Sequence, residues 1–231
     1  MKALAVITAR GGSKRIPRKN IKEFLGRPII AYSIGAALQS GFFDEVMVST
    51  DDKEIASIAE SSGAKVPFMR SEKTSSDYAT TLDVLTEVVE KYEELGQMFD
   101  YMCCIYPTAP FVTAKALGEA MDTLQRSGAD GVIPVVKFSF PPQRAMILEN
   151  GCLKAKWPEN TQKRSQDLEA FYHDCGQFYC LNVKAFKEQK AIMMNNILPF
   201  YQEEMNVQDI DTITDWEIAE MKYRILHDMK G

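Results

Sequence analysis

Histidine is scarce in this sequence, and the cysteines follow no metal-binding pattern. Two histidines and five cysteines occur among 231 residues. The cysteines form no Cys-x-x-Cys pair and have no suitably spaced histidines, which excludes a zinc module. A catalytic thiol would need a paired base, and none is evident. We therefore expect reduced, mostly structural thiols at Cys103, Cys104, Cys152, Cys175 and Cys180.

Long apolar runs are also absent. The longest stop well short of the roughly 18 residues that a membrane-spanning helix needs. The N-terminus lacks the basic start, apolar stretch and cleavage site of a secretory signal, so we expect a cytoplasmic protein with no membrane partner. The 45% hydrophobic content is enough for a full core, and we expect one domain over residues 1–231.

One short segment is strongly basic although the chain as a whole is acidic. The formal net charge is −5, yet six basic residues and no acidic one lie between Arg10 and Lys22. The segment follows an apolar run, residues 2–9, that is typical of a buried parallel strand, and open α/β sheets bind ligands at the carboxyl ends of such strands. Gly-Gly-Ser at 11–13 would let backbone N–H groups approach phosphates. The pattern predicts a site for a small polyanion rather than nucleic acid, with a solvated basic loop as the alternative.

Two common nucleotide-binding motifs are missing from this segment. Its glycines do not have the spacing of a phosphate-binding P-loop, nor that of the dinucleotide fingerprint Gly-x-Gly-x-x-Gly. A dinucleotide-dependent oxidoreductase is therefore excluded.

Strand-like and helix-like segments alternate along the chain, which predicts an α/β fold with a doubly wound, mostly parallel sheet. Pro134 makes the sheet position of its strand doubtful. We expect strands at 2–9, 45–50, 65–69, 101–106, 131–136, 177–183 and 197–201, and helices at 28–41, 51–63, 80–95, 113–126 and 215–228.

The alternation stops between Lys137 and Cys175. We interpret residues 138–175 as an inserted excursion, because loops this long usually have a function. Asn150-Gly151 between two short apolar stretches predicts a hairpin within it.

Asp209 and Asp211 alternate on an extended segment just before the last predicted helix. Mg²⁺ binds one or two carboxylates and completes its shell with water and phosphate oxygens, so this pair is a candidate metal site. In the alternative interpretation the two carboxylates are merely exposed, and Thr214 or Asp215 caps the helix. The spacing alone favours neither.

Arg10, Ser13, Lys14, Lys19 and Asn20 match the signature Ala-Arg-x-x-Ser-Lys-x-x-x-x-Lys-Asn. On these residues the chain resembles the CMP-sialic acid synthetase (acylneuraminate cytidylyltransferase) family over nearly its whole length. The longer form Ala-Arg-Gly-Gly-Ser-Lys-Arg-Ile-Pro-Arg-Lys-Asn-Ile, with the segment 172–179, looks most like the branch that acts on pseudaminic acid.

The resemblance implies a nucleotide-diphospho-sugar transferase-like, Rossmann-like fold and a Mg²⁺-dependent reaction. CTP and an acidic nine-carbon (nonulosonic) sugar would give a CMP-sugar and diphosphate. It implies a homodimer whose excursion is a dimerisation arm that reaches the partner's active site. It assigns catalysis to Lys19, Asp209 and Asp211, with the metal on the two aspartates, although the general base stays open. It assigns CTP binding to Arg10, Gly11, Gly12, Ser13, Lys14, Lys19, Asn20, Arg70, Thr80 and Thr81. In the alternative interpretation, Thr80 or Thr81 is only the N-cap of a helix.

The same resemblance places the sugar against Tyr106, Arg164, Gln166, His173, Asp174, Gln177 and Tyr179. Tyr106, Ala109 and Val112 depart from the sialic-type Gln-Pro-Thr-Ser-Pro-Leu-Arg, which favours pseudaminic acid over sialic acid. A CMP-N-acetylneuraminate synthetase, another sugar nucleotidyltransferase and a non-catalytic nucleotide-binding protein remain the alternatives.

Overall fold

The computed structural model describes residues 1–228, and strands and helices alternate along it. The strands are β1 (Ala3–Thr8), β2 (Glu23–Phe24), β3 (Arg27–Pro28), β4 (Glu45–Ser49), β5 (Tyr101–Ile105), β6 (Gly131–Lys137), β7 (Met146–Glu149), β8 (Cys152–Ala155), β9 (Tyr172–Asp174), β10 (Phe178–Asn182) and β11 (Ile197–Tyr201). The helices are α1 (Ile30–Ser40), α2 (Lys53–Ser61), α3 (Glu72–Ser75), α4 (Thr81–Glu94), α5 (Ala114–Ser127), α6 (Val183–Gln189) and α7 (Ile213–Asp228).

A seven-stranded sheet forms the centre of the molecule. Its order is β11-β6-β10-β5-β1-β4, and β9 pairs with the far half of β6. β1 is parallel to both β4 and β5, and β11 is parallel to β6. β10 and β9 run antiparallel to their neighbours. The sheet is therefore mixed but mostly parallel, as the sequence predicts.

Helices cover both faces of the sheet, because its central strands are apolar on both sides. One buried cluster joins β1 to α1, α2 and α5 through Ile34, Ile55 and Leu117. A second joins the opposite face to α4 and α6 through Leu85 and Phe186. The amphipathic helices begin at side-chain caps that accept backbone N–H bonds, provided by Asp52, Thr80, Thr113 and Asn182. No helix among residues 1–228 is long and apolar enough to cross a bilayer.

Prolines decide the outcome at two of the expected strands. The strand expected at 65–69 is wrong: only Lys65 forms an isolated bridge, with Met47. Pro67 follows two residues later and has no N–H to continue a ladder. Pro134, by contrast, lies inside β6. β6 pairs with β10 up to Val132 and with β9 from Val135 onward. Pro134 lies in the gap between these two ladders, where no neighbouring strand needs its N–H.

The excursion leaves the sheet after Lys137. Its hairpin, β7 and β8, turns at Asn150 (φ 53°) and Gly151 (φ 78°), as Asn-Gly predicts. The excursion returns as β9, so residues 172–174 belong to the main sheet, which their pattern did not reveal.

The last helix packs over the start of the chain. Trp216 of α7 is buried in a third cluster with Phe24 and Ile210. The helix begins earlier than expected, and neither Thr214 nor Asp215 is its N-cap. Thr212 Oγ1 accepts the Asp215 N–H, and Asp215 accepts the Thr212 N–H, which is a capping box. This fixes the residues immediately after Asp211.

Candidate active site

The basic loop lies at the carboxyl ends of β1 and β5, where an open α/β sheet binds ligands. It forms one wall of a cleft of about 550 Å³, and Tyr106 to Thr108, directly after β5, form another. Thr8, Arg10, Ser13, Lys14, Lys19 and Asn20 all line this first cleft. The structure thus brings the signature residues together.

The loop is held in shape by polar contacts with its own backbone. The buried Asn20 donates through Nδ2 to the Arg10 carbonyl oxygen at 2.9 Å. The Gly11 N–H donates to Asp51 at 2.9 Å, and a Cβ on Gly11 would stand 2.8 Å from Asp52 Oδ2. Gly11 therefore permits a close approach, whereas open space surrounds Gly12. Asn20 acts here as a brace for the loop.

Four cations of the loop pair with carboxylates from other parts of the chain. Asp77 pairs with Arg10 at 2.7 Å and also with Lys14. Asp211 pairs with Arg15 at 2.7 Å and lies 3.5 Å from Lys19 Nζ. Exposed ion pairs of this kind contribute little stability, so phosphate oxygens can replace the carboxylates at low cost.

The Asp209–Asp211 segment meets the basic loop through Lys19. Lys19 Nζ donates to the Ile210 carbonyl oxygen at 2.6 Å. The pKa of Asp209 is raised, because nearby protein atoms desolvate its carboxylate and because Asp211 adds negative charge. A cation would relieve both effects, so this carboxylate pair fits Mg²⁺. No cluster of three or more His, Cys, Asp or Glu side chains suited to a metal occurs in the described chain. The remaining ligands of a cation here would have to be water and phosphate.

Of the CTP-binding residues that the resemblance assigns outside the basic loop, Arg70 lies beside the end of β4. Arg70 is 9% exposed and donates through Nε to Ser49 Oγ at 3.0 Å and through Nη2 to the Ser49 carbonyl at 2.6 Å. Burial lowers its pKa. Thr80 caps α4 in a capping box with Asp83, so the alternative of helix capping holds for its side chain. Thr81 Oγ1 lies 3.1 Å from the Tyr106 hydroxyl.

Two tyrosines form an aromatic wall beside the first cleft. The rings of Tyr106 and Tyr179 are edge-to-face, with centroids 5.7 Å apart. The Tyr179 hydroxyl donates to Asp174, which also accepts the Gly176 N–H at 2.8 Å. Burial raises the pKa of Tyr106. Burial and the bond to Asp174 also raise the pKa of Tyr179, so both hydroxyls are neutral, and that of Tyr179 is directed at Asp174.

A second cleft of about 490 Å³ lies on the other side of the Asp209–Asp211 segment. His173, Asp174, Asp209 and Lys222 line it. Gln177 lies deeper, is 2% exposed, and donates through Nε2 to the Asn206 carbonyl at 2.7 Å. The assignment of Gln177 as a sugar contact therefore stays a prediction. In the structure its side chain binds the backbone of Asn206.

The arm residues lie apart from both clefts within one chain. Arg164 is exposed and pairs with Asp167, and neither Arg164 nor Gln166 lines either cleft. Several cleft residues were not assigned from the sequence, among them Arg15, Asp77 and Lys222. Arg15 stands inside the basic segment, where its charge was a usable signal. No sequence signal marked Asp77 or Lys222 as a cleft residue.

Comparison with known proteins identifies the family to which the chain belongs. A family model described as "Cytidylyltransferase" matches residues 4–212. The chain belongs to this cytidylyltransferase family and is therefore a nucleotidyltransferase. It is 42% identical over 229 residues to a pseudaminic acid cytidylyltransferase of Campylobacter jejuni, covering 99% of both chains. It is 33% identical to a CMP-N,N'-diacetyllegionaminic acid synthase of Legionella pneumophila, covering 95% of both.

A solved structure supports the fold. The chain matches a CMP:2-keto-3-deoxy-manno-octonic acid synthetase complexed with CTP, with a TM-score of 0.70 and 19% identity over 96% of this chain and 98% of the other. The expected family, enzyme class and fold are confirmed.

Proposed function

We propose that this protein transfers CMP from CTP to pseudaminic acid, giving CMP-pseudaminic acid and diphosphate. One observation carries the proposal: Arg15 and Lys19, which line the first cleft, pair with Asp211 of the carboxylate segment. A phosphate-binding surface and a carboxylate pair suited to a cation thus face each other. The 42% identity to a protein named for this reaction supports the choice of substrates.

Positioning and charge neutralisation dominate the chemistry of such a transfer. Arg10 and Lys14 would release Asp77 and hold the triphosphate, while Lys19 would stabilise the departing diphosphate. Ser13, which lines the cleft, would donate to a phosphate, whereas Gly11 would act indirectly by letting Asp52 pack against the loop. The cytosine would lie toward Arg70 and the loop that leads to Thr81.

We propose Mg²⁺ as the cofactor, held by Asp209 and Asp211. When bound, it would neutralise phosphate charge and lower the pKa of the attacking hydroxyl. Asp209 lines the second cleft and Asp211 pairs with two residues of the first, so the segment would stand between the sites proposed for sugar and nucleotide. Either carboxylate could accept the sugar's proton.

The second cleft and the aromatic wall are the proposed sugar site. Tyr106 would offer an apolar ring from the first cleft, with the buried Tyr179 packed against it, whereas Asp174 and His173 would offer polar groups from the second cleft. A site built around fixed polar partners rejects a sugar that lacks the matching groups more strongly than an apolar pocket does. This supports pseudaminic acid over N-acetylneuraminic acid.

We also propose a cytoplasmic homodimer in which the arm joins the subunits. The arm exposes large apolar side chains, with Phe140 87%, Leu148 73% and Leu153 70% exposed. Such a surface is typical of an interaction site. Arg164 and Gln166, which line neither cleft of their own chain, would then reach the partner's sugar site. The cytoplasm is where CTP is available.

Turnover with a panel of acidic sugars tests the function. Diphosphate release and CMP-sugar formation would be measured with CTP, Mg²⁺ and pseudaminic, legionaminic, N-acetylneuraminic or 3-deoxy-manno-octulosonic acid. We expect kcat/KM for pseudaminic acid to exceed that for N-acetylneuraminic acid by about 100-fold or more. An equal or higher value for N-acetylneuraminic acid would contradict the proposed substrate. CTP binding without turnover of any sugar would favour the non-catalytic alternative.

A further inference from the structure

The segment 204–208, which leads into Asp209, has little secondary structure of its own. It contains a single 3-10 turn, Glu204–Asn206, and belongs to no strand. Its carbonyl groups are instead bound by side chains from other elements. Lys222 Nζ on α7 donates to the Glu204 carbonyl at 3.1 Å and to the Val207 carbonyl at 2.9 Å.

Gln177 holds the same segment from the sheet side. Its Nε2 donates to the Asn206 carbonyl, between the two carbonyls bound by Lys222. Gln177 stands just before β10, and its own carbonyl accepts the Tyr106 N–H at 2.9 Å. The segment is thus tied on one side to α7 and on the other to the strand end that carries the aromatic wall.

The backbone beyond Asp209 is bound in the same manner, because Lys19 donates to the Ile210 carbonyl. Side chains from three distant parts of the chain therefore hold the backbone on both sides of Asp209. Without them, two like-charged carboxylates on an extended segment would tend to separate, because they repel each other.

We infer that Lys222 and Gln177 are positioning residues, which hold the segment 204–208 so that Asp209 stands beside Asp211 at the spacing a shared cation needs. The inference rests on the proposal that these two aspartates bind the metal. Neither residue touches the reacting groups in this arrangement. They act through three backbone carbonyls.

Lys222 also lines the second cleft, so a direct contact with the sugar's carboxylate is the competing role. The geometry favours positioning. Two of the three ammonium protons are already directed at backbone carbonyls, and charge-assisted bonds of this kind are stronger than neutral ones. Because its ammonium group already donates to two backbone carbonyls, Lys222 has little freedom to reach a substrate.

Lys222→Met and Lys222→Arg test the inference in the full-length protein. Lys222→Met keeps the length of the side chain and removes its donors, whereas Lys222→Arg keeps the charge and donors. Lys115→Met, on the exposed face of α5, is the matched control. Mn²⁺ binding in the presence of CTP, read by electron paramagnetic resonance, gives a measurement independent of turnover, and kcat, both KM values and thermal melting accompany it.

We expect Lys222→Met to weaken Mn²⁺ binding and to lower kcat by about 10-fold or more. Removal of a group that orients a metal ligand commonly has an effect of this size. KM for the sugar should stay within about threefold, Lys222→Arg should recover much of the loss, and Lys115→Met should resemble the wild type. Gln177→Met should weaken Mn²⁺ binding in the same direction, and it decides the matter if Lys222→Met does not fold.

Three results would overturn the inference. Melting could fall while Mn²⁺ affinity and kcat stay unchanged, which would make both residues structural only. KM for the sugar alone could rise, which would make Lys222 a substrate contact. Wild-type protein with CTP could bind no Mn²⁺, which would remove the proposed metal site itself and so is distinguishable from the first two results.

Discussion

At the scale of single residues, the cations of the basic loop are neutralised by carboxylates of the same chain. Arg10 and Lys14 meet Asp77, and Arg15 and Lys19 meet Asp211. Six clustered cations would otherwise repel one another. The two aspartates differ in their proposed roles, since Asp77 would leave its partners when phosphate binds, whereas Asp211 would gain a metal. The same substitution at the two positions should therefore have different effects.

Asp211→Asn should lower turnover at least 100-fold, because a hard anionic ligand is lost while the shape of the side chain is kept. CTP should still bind, as measured by calorimetry without the sugar. Asp77→Asn is the matched control. It should leave kcat within about threefold and tighten CTP binding, because Arg10 and Lys14 lose a competitor. Full activity of Asp211→Asn at saturating Mg²⁺ would contradict the metal role.

Asp52 gives a prediction about pH. The hydrogen bond and ion pair with Arg18 lower the Asp52 pKa from 3.8 to about 2. A carboxyl whose pKa is depressed in the folded state stabilises the protein above the unfolded value, and this contribution is lost as pH falls from about 4 toward 2. Asp52→Asn keeps a good helix cap but loses the charge. It should lower the free energy of unfolding by about 1–2 kcal/mol at neutral pH.

Urea unfolding at several pH values checks this. The difference between wild type and variant should be constant from neutral pH down to about pH 5 and should shrink below about pH 4. A difference that does not change with pH would mean that the substitution acts through packing or the cap.

At the scale of elements, the pattern of apolar residues predicted most strands and helices because each is buried on defined faces. It failed where tertiary context decides. The expected strand at 65–69 has no partner beyond one bridge, and β9 is a strand only because β6 extends past β10. The basic loop and the Asp-x-Asp segment were recognisable as candidates from local charge. The contact of Lys19 with Ile210 was not, since no local pattern encodes it.

The hairpin of the arm is the element with most exposed apolar surface, and it provides a prediction. Leu148 and Leu153 are directly paired across the hairpin. Replacing both with Asp should shift the proposed dimer toward monomer, measured by light scattering after size-exclusion chromatography, because it adds charge to an apolar contact surface. Glu149→Gln on the same hairpin should leave the mass unchanged. A double variant that stays dimeric would place the interface elsewhere.

At the scale of the whole molecule, each active site is proposed to need two chains. The sheet places the basic loop and the carboxylate pair in one subunit, whereas Arg164 lies on the arm with Asp167 as its partner. A site shared in this way can be divided between two differently damaged subunits.

Mixing Asp211→Asn with Arg164→Ala subunits tests this division. Both variants should be nearly inactive alone, because one lacks a metal ligand and the other lacks the arm's cation. After equal mixing and exchange, one site in each heterodimer is intact, so activity should recover to at most about a quarter of wild type. No recovery despite demonstrated subunit exchange would place Arg164 outside the partner's site.

The contact between Lys19 and the Ile210 carbonyl joins positions 191 residues apart, which has a consequence for biosynthesis. At about 5–20 residues per second, the ribosome adds Ile210 about 10–40 s after Lys19. During that interval the nascent chain can pair the early strands, yet the cations that face Asp211 have no partner there. Contacts between such remote positions form slowly because a long loop must close. We therefore expect the enzyme to acquire CTP turnover as one of the last events of its folding, when α7 packs over Phe24.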